Sequence, residues 1–151
     1  MTDLWHRREE VLEPGAVITP GRWGAIVTTT GQNHPHFFRE QLLELWRVTY
    51  TSVAVSRLTC SFAFENRVDA DRMRDTERLY RVRPAEPSAP SARLDMLWLS
   101  WMGEPGRRFD QVTGDCRSYW EGRSTEDLAD HATSSWEWLF ACPLIVEQSF
   151  R

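Results

Sequence analysis

The chain has 151 residues, 41% of them hydrophobic, which is enough apolar material for one core and a single domain over 1–151. A net charge of -4 argues against general nucleic-acid binding. All 18 cationic residues are Arg, so lysine Schiff-base chemistry and a lysine-bearing phosphate loop are excluded.

Leu4-Trp5-His6-Arg7 reads as a first strand, followed by Pro14-Gly15 and Pro20-Gly21, two turns that bracket a short extended piece. Gly24 to Gly31 reads as a Thr-rich loop. His34-Pro35 then starts an amphipathic helix over 36–48, with Phe38, Leu42, Leu45 and Trp46 at helical spacing. The stretch 49–55 is loop or strand, 58–64 a strand, 67–75 a helix capped by Asn66, and 78–83 another strand. Three prolines place 84–91 in a surface loop. The apolar run 96–101 fits either a helix or a buried strand, and 109–120 forms a helix closed by Gly122. Ser124 caps a short turn, and 136–146 is a terminal hairpin around Pro143. Strands and helices in this mixture make an α+β domain.

Cys60, Cys116 and Cys142 are odd in number, widely spaced and without a CxxC pair, which points to a reduced, cytoplasmic setting. Charged residues interrupt any signal-like N-terminus, and no run approaches the roughly 20 apolar residues that span a bilayer, so no membrane partner is expected. His34-Pro35-His36 has no third ligand at metal spacing, so no metal site is expected.

The richest stretch is Trp136-Glu137-Trp138-Leu139. Strand alternation puts Glu137 and Leu139 on one side and Trp136, Trp138 and Phe140 on the other. Glu137 is then either a solvent-facing guard against aggregation or a carboxylate in a pocket. Arg57 suits either a pyrophosphate, by bidentate hydrogen bonds, or an acid partner. Tyr119 and Trp120 suit either a flat ring or the core.

In order along the chain, Trp5-His6 with its following Pro-Gly turns, Ser56-Arg57-Leu58 leading into 59–64, Leu79-Tyr80-Arg81-Val82, Tyr119-Trp120-Glu121-Gly122 and Glu137-Trp138-Leu139 resemble the ADP-ribosyltransferase superfamily, and within it a small bacterial branch of mostly unassigned function. The resemblance covers nearly the whole chain. It implies a split β-sheet core with flanking helices, and NAD as the substrate. It also implies that Glu137 is the catalytic carboxylate and that His6 positions a ribose hydroxyl. Ser61 or Phe62 lies near the nicotinamide, and Ser61 is preferred because only one of two adjacent strand residues points into a pocket.

The chemistry implied is cleavage of the nicotinamide–ribosyl bond through an oxocarbenium-like state, with Glu137 stabilising the developing charge. Arginine-modifying relatives carry an acid two residues before that glutamate, where this chain has Ser135. The resemblance therefore implies an acceptor of ADP-ribose other than arginine, a small molecule or a nucleic-acid group, or hydrolysis of NAD. The alternative is a non-catalytic domain of the same fold that binds a nucleotide or a protein. On the catalytic reading, His6 and Glu137 line one cleft between two small sheets.

Overall fold

A computed structural model describes residues 2–73, 77–128 and 132–150. The elements in chain order are β1 (Leu4–Arg8), β2 (Val17–Ile18), α1 (Arg22–Thr30), α2 (Phe37–Tyr50), β3 (Ser61–Phe64), α3 (Arg67–Met73), β4 (Arg78–Pro84), β5 (Ser91–Asp95), α4 (Leu97–Met102), α5 (Phe109–Trp120), β6 (Trp136–Phe140) and β7 (Leu144–Phe150). The fold is α+β, with five helices on one antiparallel seven-stranded sheet of order β2-β7-β4-β1-β3-β6-β5. No described helix is long and apolar enough to cross a membrane.

The sheet is continuous but unevenly joined. β1 and β4 pair at five positions, whereas β1 and β3 meet at one, Trp5 opposite Phe64. A seam therefore divides β2-β7-β4-β1 from β3-β6-β5. The link between β6 and β7 is residues 141–143, which span at most about 14 Å from Phe140 to Leu144. In a flat sheet those two strands, four spacings apart in the order, would lie about 19 Å apart. The sheet must curl, and its two halves lean together over a concave face.

That face is packed by Ile18, Ala63, Tyr80, Val82, Phe140, Cys142, Leu144 and Val146, with Leu12 and Ala16 from the 9–16 loop against them. The convex face is covered by helices. Leu43 of α2, Trp98, Leu99 and Met102 of α4, and Cys116, Tyr119 and Trp120 of α5 pack there against Leu94 and Leu139.

Several elements differ from the sequence reading. The segment read as a Thr-rich loop is mostly α1, a helix whose β-branched residues and Gly24 have low intrinsic propensity. Packing holds it: a Cβ at Gly24 would lie 1.8 Å from the Leu58 carbonyl oxygen, so only glycine permits this approach. The terminal hairpin is absent, because β6 pairs with β3 and β5 while β7 pairs with β4 and β2. Both strands are apolar enough for the interior of a sheet, so their sequence proximity misleads. β5 was not expected, and β3 starts at Ser61 because residues 57–59 form a turn. The run 96–101 resolves as helix α4, whose Leu97 amide donates to Asp95 Oδ1 at 3.0 Å. Residues 74–75 of the expected third helix lie outside the described residues.

Candidate functional site

The expected site residues fall into two groups on opposite faces of the sheet. Glu137, Arg57, Tyr119 and Phe62 meet on the convex face, beneath the helices. His6 and Ser61 lie on the concave face. The register explains the division: Glu137 pairs with Phe64 and Leu94, whereas His6 pairs with Tyr80, whose ring lies in the concave core. A single cleft holding His6 and Glu137 is therefore corrected. The alternation expected for β6 does hold, since Leu139 packs with the helices and Trp138 with Phe140 in the concave core.

The convex group is built around Arg57. The turn at 57–59, after the irregular stretch that follows α2, drives this side chain inward until it is 6% exposed. Its Nε donates to Glu40 Oε2 at 3.0 Å and its Nη2 to Glu40 Oε1 at 3.2 Å. Its Nη1 donates to the Tyr119 hydroxyl at 2.6 Å and also to Glu137 Oε1, and Tyr119 in turn donates to the same Glu137 oxygen at 2.7 Å. The guanidinium lies 4.9 Å from the Phe62 ring centre and 5.5 Å from that of Tyr119. Arg39 adds a second cation, donating to Glu40 Oε1 at 3.0 Å.

Two carboxylates thus face two guanidinium groups. Burial raises the Glu40 pKa, but Arg57 and Arg39 outweigh it and leave Glu40 below the usual carboxylate range. Burial pulls Arg57 down, and Glu137, Tyr119 and Glu40 more than reverse this, so it stays charged. Burial, reinforced by Glu137, pushes the Tyr119 phenol well up, so it stays protonated and donates. Glu137, 3% exposed, is held as the acceptor of this network. Of the two fates open to Arg57, the acid partner is the one found, though buried. Tyr119 and Trp120 are core residues, the latter donating from Nε1 to the Leu43 carbonyl at 2.9 Å.

The concave group is arranged differently. The His6 Nδ1 lies 2.8 Å from the Phe62 carbonyl oxygen, bridging the seam where ladder pairing between β1 and β3 has stopped. A carbonyl only accepts, so Nδ1 carries the proton and Nε2 of the neutral ring is an acceptor. Burial, aided by Arg8 and Arg22, lowers the His6 pKa and favours that neutral form. Among the described residues, Nε2 has no hydrogen-bond partner. Ser61, two positions before Ala63 on the same face of β3, is 4% exposed, and its hydroxyl has no partner among the described residues. Gly21, at the head of α1, donates its amide to the Cys60 carbonyl at 3.0 Å, which brings Arg22 close to this end of β3. Arg8 and Arg22 share Glu10, at 2.8 Å each.

Ser135 does not join either group. Its amide donates to Asp95 Oδ1 at 3.0 Å. Asp95, which the sequence reading passed over, also accepts from the amide and hydroxyl of Thr125 at 2.8 and 2.7 Å. These bonds outweigh its burial and depress its pKa, marking it as a structural hub joining β5, α4 and the entry to β6. An Asp two residues before an apolar helical run was the available signal. Glu40, another buried acid passed over, sits in a helix pattern that reads as solvent-facing.

Compared with known proteins, the chain matches no family model and no curated sequence.

Proposed function

We propose that the protein is a nucleotide-binding domain with an ADP-ribosyltransferase-like fold. It holds NAD or a related nucleotide on the concave, His6 side of the sheet, and does not use Glu137 to cleave it. One observation carries this reading: among the described residues His6 Nε2 and the Ser61 hydroxyl have no hydrogen-bond partner and share that face, whereas Glu137 accepts from Arg57 and Tyr119 through Oε1 on the other.

The chemistry of the two groups supports the division. A neutral imidazole with a free acceptor nitrogen takes a hydrogen bond from a sugar hydroxyl, and an unpartnered serine hydroxyl can donate or accept. Arg8 and Arg22, at the rim beside Glu10, supply cationic character for phosphate oxygens. A carboxylate that stabilises a ribosyl cation must face the ribose. Glu137 would first have to leave both Arg57 and Tyr119 and cross the sheet.

The test is to titrate the protein with NAD and ADP-ribose by calorimetry while assaying free nicotinamide. Both ligands should bind, His6→Ala should weaken binding at least tenfold, and nicotinamide release should not exceed that of buffer. Nicotinamide release that disappears in a folded Glu137→Gln variant would restore the transferase or glycohydrolase reading. Absence of binding by either ligand would remove the nucleotide altogether.

A further inference from the structure

The concave face meets α1 at one corner. The Gly21 amide donates to the Cys60 carbonyl at 3.0 Å, which sets the first turn of this nine-residue helix beside Ser61. Counting on from the Trp5–Phe64 pair puts Arg8 across from Ser61, on the face that His6 shares. Arg22, the first residue of α1, meets Arg8 at Glu10. Arg8 Nε donates to Glu10 Oε2 at 2.8 Å, and Arg22 Nη1 donates to Oε1 and Oε2 at 2.8 and 2.9 Å. Both guanidinium groups also act to lower the His6 pKa, so both stand near that ring.

Donors outnumber acceptors at this corner. The amides of Arg22, Trp23 and Gly24 have no acceptor among the described residues, no side chain caps α1, and its first turn holds no acid. The Ser61 hydroxyl, on a residue 4% exposed, is unpartnered among the described residues beside them. The head of a helix favours an anion, yet both oxygens of Glu10 are already taken by the two arginines. A phosphate group has an oxygen more, which reaches the amides and Ser61 while the others keep both guanidinium groups. Glu10 is placed to give way. Its carboxylate is 48% exposed, and its backbone is held separately by the Tyr80 hydroxyl, which donates to the Glu10 carbonyl at 2.6 Å and accepts from the Leu12 amide at 3.0 Å.

We infer that the head of α1 binds the phosphate of the ligand through Arg8, Arg22, the free amides and Ser61, and that Glu10 holds the place of that phosphate as a built-in competitor. That the phosphate belongs to a nucleotide rests on the function proposed above. Arg8, followed by its own backbone amide and by Arg22, holds the Glu10 carboxyl down to about 2, so the competitor is ionised at neutral pH. A nucleoside without phosphate has no charge with which to displace it.

The test titrates the full chain with inorganic pyrophosphate and follows the backbone amide resonances of Trp23 and Gly24. Both should shift saturably. Glu10→Gln should bind pyrophosphate at least fivefold more tightly and Ser61→Ala at least threefold more weakly, while Glu9→Gln, the same change of charge one residue away, should stay within twofold of the wild type. The inference is overturned if those amides show no saturable shift, if Glu10→Gln binds no more tightly, if Glu9→Gln tightens binding equally, or if Ser61→Ala binds as the wild type does. The nucleotide reading fails separately. Pyrophosphate binding without binding of NAD or ADP-ribose upholds the oxyanion site and removes the nucleotide, whereas nucleotide binding that leaves both amides unmoved and ignores Glu10→Gln keeps the nucleotide and removes this site.

Discussion

The two faces of the sheet bury polar groups in opposite ways. On the convex face every partner of Arg57 is another protein group, and two carboxylates are matched by two guanidinium groups. On the concave face, His6 satisfies one nitrogen through Phe62, and among the described residues its other nitrogen and the Ser61 hydroxyl have no partner. A closed network of charges fixes how layers pack, whereas unmatched buried polar groups cost stability unless something else pairs with them.

The comparison breaks most sharply at Arg57. Arg57→Met should cost about 3–5 kcal/mol of stability, because Glu40 and Glu137 would be left buried with only Arg39 opposite them. Chemical denaturation measures it, and a loss under 1 kcal/mol would mean that water reaches the network. Glu137→Gln is gentler, since the amide keeps an acceptor for Arg57 and Tyr119. It should cost about 1–3 kcal/mol. Nucleotide affinity should not change, and a large drop in that affinity would place the ligand on the convex face after all.

Ser61→Ala acts in the opposite direction. Removing a hydroxyl that has no partner should stabilise the protein by about 1 kcal/mol while weakening nucleotide binding. Destabilisation would mean that the hydroxyl is paired within the folded protein. The smallest effect is a pH dependence from His6. Its folded pKa lies below the ordinary value of about 6.5, so the unfolded chain binds the proton more readily. The contribution of His6 is therefore full above that value and is lost progressively as pH falls toward the folded pKa. Stability curves of wild type and His6→Gln should converge at acidic pH. Parallel curves would show that burial of His6 does not depress its titration.

Much of the fold was legible where a local signal sufficed. The period of α2, the Gly122 closure of α5, where φ is +68°, and the Ser124 cap, which accepts from the Glu126 amide, all follow from short-range rules. What failed was long-range. No residue near Trp136 or Leu144 announces that three linking residues carry the chain from one half of the sheet to the other, because a hairpin and a crossover in a curled sheet use the same apolar, β-branched strands. α1 failed for the same reason, since its support comes from the backbone at Leu58. The site was half legible. Sequence singled out Arg57, Glu137, Tyr119 and Phe62 and the structure brings them together, but whether a carboxylate faces a ligand or an arginine depends on which side of the sheet the helices cover.

The seam between β1 and β3 has a further consequence for assembly of the molecule. The chain crosses it from β2 to β3, back to β4, across again to β5, and back from β6 to β7. No single cut in the backbone separates the two half-sheets. Each half completes its strands only after distant parts of the polypeptide have arrived, so fragments ending after α3 or after α5 would carry unpaired strand edges and fail to fold. The weakest line of hydrogen bonding in the sheet is thus stitched by the connectivity of the chain itself.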